Sequence, residues 1–308
     1  MKKLYILLAA LAFSFSVFAK DEAQIDANGT LEVTAPDEKE MDTFEFTHEA
    51  GADIVSHYLW RGMYNGGLSF QPTASVGWDS KHTGFSFGVW GNVGASDWLF
   101  RKESSEGAAD GTYFVPEIDV FATLNVYGVV AGFTHYYYFG GSPYFCFGKI
   151  DDVWNNNGTS QTEVTLGYDF STLLDFPLSV TWNTIVAGDD GYVKNEGEAD
   201  EESVRAYSSY IELTYTHEFD YGMSLTGQLG MTPWKSTYTG YEGDFAVNNI
   251  TLKFNKEWEL ADFFVMDLYA QLSLNTYGIN KNNVYVNAAG DDKYDQKLNF
   301  CLGAGFWF

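Results

Sequence analysis

From Gly51 to Phe308 the chain is a succession of 10–14-residue runs in which apolar and polar residues alternate. Successive side chains of a strand point to opposite faces, so a period of two means strands with one apolar and one polar side. The runs fall at 52–62, 68–79, 84–95, 114–126, 129–139, 160–170, 178–188, 204–219, 222–233, 246–258, 264–277 and 296–308. In one of them Val164, Leu166, Tyr168 and Phe170 oppose Glu163, Thr165, Gly167 and Asp169. In another, Met266, Leu268, Leu272 and Leu274 oppose Asp267, Gln271, Ser273 and Asn275. Alternation of this kind suits a soluble sandwich as well as a membrane barrel.

Connection length separates the two. The links at 80–83, 127–128, 171–177, 220–221 and 259–263 are short. Those at 96–113, 140–159, 189–203, 234–245 and 278–295 are long and acidic, and only 63–67 breaks the alternation by being short. Short turns at one end and long loops at the other are the pattern of an outer-membrane barrel, whose tilted strands need about 9–11 residues to cross the hydrocarbon. Tyr58, Trp60, Trp98, Tyr113, Tyr127, Trp182, Tyr221, Trp234, Trp258 and Tyr277 lie near the ends of runs, where interfacial girdles are expected. The expected fold is therefore all-β: a transmembrane, antiparallel, up-and-down β-barrel of about twelve strands over 51–308.

The flanks agree with export. Lys2 and Lys3, the apolar run Leu4–Phe18, and Val17 and Ala19 before Lys20 give residues 1–19 the form of a cleavable signal peptide. Residues 20–50 are acidic and without periodicity, which predicts a mobile periplasmic segment before the barrel. In the last run Leu298, Phe300, Leu302, Ala304, Phe306 and Phe308 share one face. That face, with its terminal aromatic, is similar to the signal read by the barrel-assembly machinery, and it singles out Phe300, Leu302, Phe306 and Phe308. The expected surroundings are the lipid and lipopolysaccharide of the outer membrane of a Gram-negative cell.

Charge narrows the function. The formal net charge is −25, and loss of Lys2 and Lys3 with the leader takes it to −27, so nucleic acid is excluded as a partner. With apolar residues facing lipid, the lumen receives Glu117, Asp119, Glu163, Asp169, Glu212, Glu218, Glu257 and Asp267 against only Arg61, Lys253 and Lys297. An acid-rich aqueous lumen favours cations, because low-dielectric walls focus the field of the lining charges. Arg61, Glu117, Asp119, Glu163, Asp169, Glu212, Lys253 and Asp267 are the pore-lining candidates. Arg61 is expected to project inward near the outer mouth, positioned by a bidentate pair with an inward carboxylate.

No catalytic motif is present. Gly-x-Ser-x-Gly, His-Glu-x-x-His and a phosphate loop are absent, and Ser56 is expected on the face opposite His57. Loop carboxylates such as Asp151, Asp152, Asp189, Asp190, Asp291 and Asp292 lack EF-hand spacing, so neither a metal nor another cofactor is expected. Cys146 and Cys301 predict two free thiols rather than a bridge. The expected function is passive diffusion of small cationic or neutral solutes. The alternative is a closed barrel that presents its loops for adhesion or partner binding, or supports the envelope.

A family likeness attaches to one stretch. The chain reads Gly51-Ala52-Asp53-Ile54-Val55-Ser56-His57-Tyr58-Leu59-Trp60-Arg61-Gly62, then Gln71-Pro72, then Gly84-Phe85-Ser86-Phe87-Gly88-Val89-Trp90. This resembles the opening of the TorF-like family of outer-membrane porins, with its Ser-x-Tyr-x-x-Arg-Gly first strand, Gln/Pro second strand and Gly-Phe-x-x-Gly-x-Trp third. Met63-Tyr64-Asn65 stands where the family continues with Ser-Gln-Thr. The resemblance implies a barrel with a pore function.

Overall fold

A computed structural model describes residues 43–94, 117–138, 145, 160–174, 176–194, 202–241, 243–277 and 297–308. The expected leader, residues 20–42 of the acidic segment, Cys146, Trp98, Tyr113 and most of the long loops lie outside the described residues.

The strands in chain order are β1 (Glu45–Val55), β2 (Tyr58–Trp60), β3 (Met63–Gly66), β4 (Ser69–Asp79), β5 (Thr83–Gly94), β6 (Glu117–Val126), β7 (Val129–Tyr138) and β8 (Ser160–Asp169). They continue as β9 (Leu178–Gly188), β10 (Gly191–Lys194), β11 (Glu202–Arg205), β12 (Ser209–Phe219), β13 (Met223–Thr232), β14 (Ala246–Ala261), β15 (Phe264–Asn275) and β16 (Leu298–Trp307). Twelve of them close into an antiparallel barrel in the order β1-β16-β15-β14-β13-β12-β9-β8-β7-β6-β5-β4. Closure falls between β1 and β16, from Gly51 opposite Trp307 to Val55 opposite Gly303. Beyond it Ser56 continues the seam, its N–H donating to Leu302 O at 2.8 Å and its Oγ accepting from Leu302 N at 2.8 Å. No strand edge is left open in the wall, which removes the usual hazard of unpaired backbone.

The barrel is inside-out relative to a soluble domain. Outward side chains such as Phe87, Leu252, Phe254, Leu272, Phe300 and Leu302 are each more than a third exposed. The inward Asn92, Glu117, Glu163, Asn249, Ser273 and Asn299 are buried. Among the described residues the packed apolar core amounts to Met63, Tyr210 and Tyr238 with Trp60 beside them. A continuous apolar exterior around a polar interior is stable in lipid and not in water, so the wall is a membrane-spanning one.

Two expectations are corrected here. The first barrel strand is not 52–62: it begins at Glu45 and ends at Val55. Phe46, His48, Ala50, Ala52 and Ile54 alternate against Glu45, Thr47, Glu49, Gly51 and Asp53, but the inward set is so acidic that the stretch reads as solvated chain. Secondly, 63–67 is not a short outer loop. Residues 57–66 leave the wall altogether and form a separate hairpin, β2–β3. The alternation of connections is thereby kept, since every link at this end of the barrel is long.

Candidate functional site

The β2–β3 hairpin turns on Arg61 and Gly62, at φ 50° and 77°. Two successive left-handed residues between paired Trp60 and Met63 meet the requirement of a type I′ turn. Glycine takes this conformation freely; arginine does so at a cost of about 1 kcal/mol or more. Gly62 is also required by space, because a Cβ there would lie 2.4 Å from Asn249 Oδ1.

The hairpin enters the lumen and crosses it. It springs from between β1 and β4, yet its tip reaches β8, β12, β14 and β16. Asn299 Nδ2 on β16 donates to Gly62 O at 3.0 Å. On the other side Tyr58 donates to Glu117 Oε2 on β6 at 3.0 Å and packs against Trp90 on β5. Arg61 is six positions along the chain from Val55, a reach of about 20 Å in extended chain, enough to span a barrel of this size.

Arg61 fills a socket in the far wall. Its two terminal nitrogens meet Glu163 Oε2 and Oε1 at 2.6 and 2.8 Å, a bidentate pair with Glu163 2% exposed. The guanidinium carbon lies 4.6 Å from the ring centroids of Trp60 and Tyr210 and 5.1 Å from that of Tyr238, and a guanidinium nitrogen donates to the Tyr238 hydroxyl. Tyr136 donates to Glu163 Oε1 at 3.0 Å and Tyr238 to Oε2 at 3.2 Å. Both oxygens of the carboxylate are therefore held by the wall as well as by the arginine.

Tyr210 and Tyr238 have separate supports. Tyr210 Oη accepts from Asn249 Nδ2 at 3.0 Å and donates to Glu212 at 3.1 Å, and Gly230 opposite leaves the room its ring needs. Tyr238 sits in a single 3₁₀ turn, Thr237–Thr239, capped by Ser236 and ended by Gly240 at φ 61°. That turn is tied to the wall through Ser208, whose Oγ accepts from Thr237 N and donates to Asp190. Asp190 is fully buried beside the β10–β11 hairpin, and this burial pushes its carboxyl up to about 7 despite two hydrogen bonds from Ser208.

The pore-lining candidates lie on inward positions at three levels. Arg61, Glu117, Asp119 and Glu163 come together at the hairpin level, where all three carboxylates are buried. Glu212 lies below them, accepting from Thr214 Oγ1 and Gln228 Nε2 at 3.1 Å each, while Lys253 Nζ sits 3.8 Å over the Tyr269 ring. Asp169 and Asp267 are near the short-turn end. Asp169 accepts from Ser171 N and Oγ at 2.9 and 2.7 Å, and Asp267 accepts from Trp307 Nε1 at 3.1 Å. A lumen-side recess of about 590 Å³ at that end is lined by Asp169, Ser179, Thr214, Thr216 and Glu218. Phe300 and Leu302 on the outer face of β16, and Phe308 just beyond its end, are exposed at 50–62%.

Several site residues escaped the sequence reading. Tyr58 and Trp60 belong to the lumen, not to an interfacial girdle, because the hairpin carries them inward. Tyr136 and Tyr210 were recoverable as inward members of alternating strands. Tyr238 comes from a long loop, where period carries no signal. Asp53 is inward on β1, across Gly305 from Asp267. Ser56 and His57 do not point apart: Ser56 Oγ lies 3.1 Å from His57 Nδ1. Face alternation ceases where the chain leaves the sheet at Val55, and Ser56 Oγ is engaged by Leu302 N–H as part of the seam. The Ser-x-Tyr-x-x-Arg-Gly run that carries the resemblance leads from the seam at Ser56 through the first arm of this hairpin to its turn at Arg61-Gly62.

The site thus defines a membrane-spanning barrel with an internal hairpin across its lumen. Solved structures with a similar course include an outer membrane channel from Pseudomonas putida F1, at 11% identity, covering 88% of this chain and 98% of that one with a TM-score of 0.37. The CymD monoaromatic hydrocarbon channel matches at 9% identity, 84% and 87% coverage and a TM-score of 0.35. Salmonella typhi OmpF, in complex with daunomycin, matches at 9% identity, 87% and 98% coverage and a TM-score of 0.34. No protein-family model and no curated protein matches the chain.

Proposed function

We propose that the chain is a porin-like outer-membrane channel for passive diffusion of small solutes, biased toward cations, with the β2–β3 hairpin closing it in the conformation described. The long-loop end is external and the short-turn end periplasmic, as export by residues 1–19 and assembly through Phe300, Leu302, Phe306 and Phe308 require. Lipid and lipopolysaccharide then surround the apolar wall.

The observation that carries this reading is the way the hairpin is held. Its tip is fixed by an ion pair, ring contacts to a cation and hydrogen bonds, and only Met63 and Trp60 join an apolar cluster. Contacts of that kind re-form with water when a segment swings out, whereas a permanently filled interior gains most from apolar packing. Below the hairpin, hydroxyl and amide groups line the wall, with Asp53, Asp169, Glu218 and Asp267 facing the lumen and Lys253 the one inward cation there among the described residues.

The test is single-channel recording in planar bilayers, comparing mature protein with a variant in which residues 57–67 are replaced by two glycines. Small or infrequent steps in the first and large, cation-selective steps in the second support the channel. Silence in both refutes it and leaves the closed barrel that presents its loops.

A further inference from the structure

We infer that the socket occupied by Arg61 is a binding site for guanidinium- and amine-bearing solutes, and that Arg61 is its tethered competitor. The inference rests on the channel reading, since solutes reach the socket through the lumen.

Four features carry it. The socket and its occupant belong to separable parts of the chain: Glu163, Tyr136 and Tyr210 are on wall strands and Tyr238 on a wall-anchored turn, while Arg61 arrives on a hairpin. The carboxylate stays aimed without the arginine, because Tyr136 and Tyr238 each donate to one of its oxygens. Ring faces of Tyr210 and Tyr238 lie at cation–π distance around the same point. A planar, forked cation matched to both carboxylate oxygens and to the rings is a guanidinium; an alkylammonium satisfies the charge and the rings but only one oxygen at a time. The inward acids below the hairpin add a field that concentrates cations in the lumen.

A solute carrying such a head group competes with Arg61 for Glu163 and shifts the hairpin out of the socket. The shift follows from binding only to the undocked state. In this way the permeant class opens its own path, and neutral solutes of equal size do not.

Two readouts test this on mature protein carrying Cys146→Ser. The first is calorimetric binding of ethylguanidinium, propylammonium and the neutral isostere N-ethylurea to the Arg61→Ala variant. Binding is expected in the order ethylguanidinium, propylammonium, N-ethylurea, with the first exceeding the last by about tenfold or more. Adding Glu163→Gln to the variant abolishes the difference. Equal binding of ethylguanidinium and N-ethylurea, or none, overturns the inference. The second readout keeps Arg61 and follows the rate at which a thiol reagent modifies Cys301. This inward thiol is 3% exposed and packed beside Ser56 and His57 at the root of the hairpin. Ethylguanidinium is expected to speed labelling and N-ethylurea to leave it unchanged, and equal effects of the two count against the site. This arm serves also if Arg61→Ala fails to fold. Conductance of the same preparations separates the two readings. Ethylguanidinium binding without current keeps the socket and rejects the channel; current without preferential binding keeps the channel and rejects the socket.

Discussion

Removing Arg61 is the most informative single perturbation. In Arg61→Ala the Glu163 carboxylate stays in the wall at 2% exposure with two tyrosine donors and no counter-charge. Breaking a buried pair by deleting one partner costs about 3–5 kcal/mol, because the survivor remains desolvated. Undocking the hairpin lets water reach Glu163, so the cost falls on the docked state alone. At 1.36 kcal/mol per decade, the docked-to-undocked ratio drops by about 150-fold to several thousand-fold. Glu163→Gln strands the guanidinium in the same way and moves the ratio in the same direction. The double variant Arg61→Ala/Glu163→Gln carries no stranded charge and is expected to lie well short of the sum of the two singles. The assay is the open fraction in single-channel records, alongside the Cys301 labelling rate in a Cys146→Ser background. Strict additivity, or an Arg61→Ala protein with wild-type open fraction and labelling, refutes the argument that this pair holds the hairpin.

Gly62→Ala places a Cβ against Asn249 Oδ1 in a left-handed residue, and it is expected to raise Cys301 labelling at least tenfold (about 1.4 kcal/mol) while leaving barrel assembly intact by gel mobility. Asp190 has a folded pKa of about 7 against 3.8 for the free group. A raised carboxyl stabilises the docked loop fully below about pH 4, and that contribution is lost as pH rises through 7. Because Asp190 holds Ser208 and through it the Tyr238 turn, Cys301 labelling corrected for thiolate fraction is expected to rise between pH 5 and 8, and Asp190→Asn to flatten the profile. Neutralising Asp53, Asp169, Glu218 and Asp267 together is expected to lower cation preference, read as a smaller reversal potential under a salt gradient. Neutralising Glu117, which is bonded to Tyr58, is expected to change opening more than selectivity.

The wall was legible because its rule is local: period two, a required length and the two kinds of connection place eleven of the strands, ten of them to within about three residues. The other, β12, expected from 204, begins at Ser209 because 202–205 pair outside the wall as β11. The first strand was misplaced because Glu45 and Glu49 make the start of a lumen-facing strand look like acidic linker. An inward position tolerates charge, so acidity is a poor marker of disorder in such a barrel. Arg61 was expected inward as part of a strand running to residue 62; that strand ends at Val55, and the hairpin instead carries Arg61 to its bidentate carboxylate. That the partner is Glu163, 102 residues away, depends on how the hairpin crosses the lumen. Two successive positive-φ residues at Arg61-Gly62 set that path. Glycine announces such a turn; arginine conceals it. Tyr238 is set by a loop turn and a serine contact, for which no periodicity exists.

The hairpin meets the far wall mainly through polar contacts. Its docked state contains a desolvated ion pair and an arginine in a left-handed turn, both of which cost energy, against one small apolar cluster. Replacing a buried ion pair and its attendant polar groups by apolar residues of similar volume is neutral or stabilising by about 1–4 kcal/mol in other interiors. Here the replacement must include the two tyrosine hydroxyls, which would otherwise lose their acceptor at about 1–3 kcal/mol each. The variant Arg61→Met/Glu163→Leu/Tyr136→Phe/Tyr238→Phe therefore removes the ion pair and both hydroxyls that donate to it while conserving the socket's bulk. If the polar contacts exist to keep docking reversible, this protein closes more firmly than the wild type: Cys301 labelling slows and the open fraction falls. If they are needed merely to hold the hairpin, it opens, as Arg61→Ala does. The opposite signs make this the sharpest distinction between a gate and a plug, and an open quadruple variant would falsify the gate.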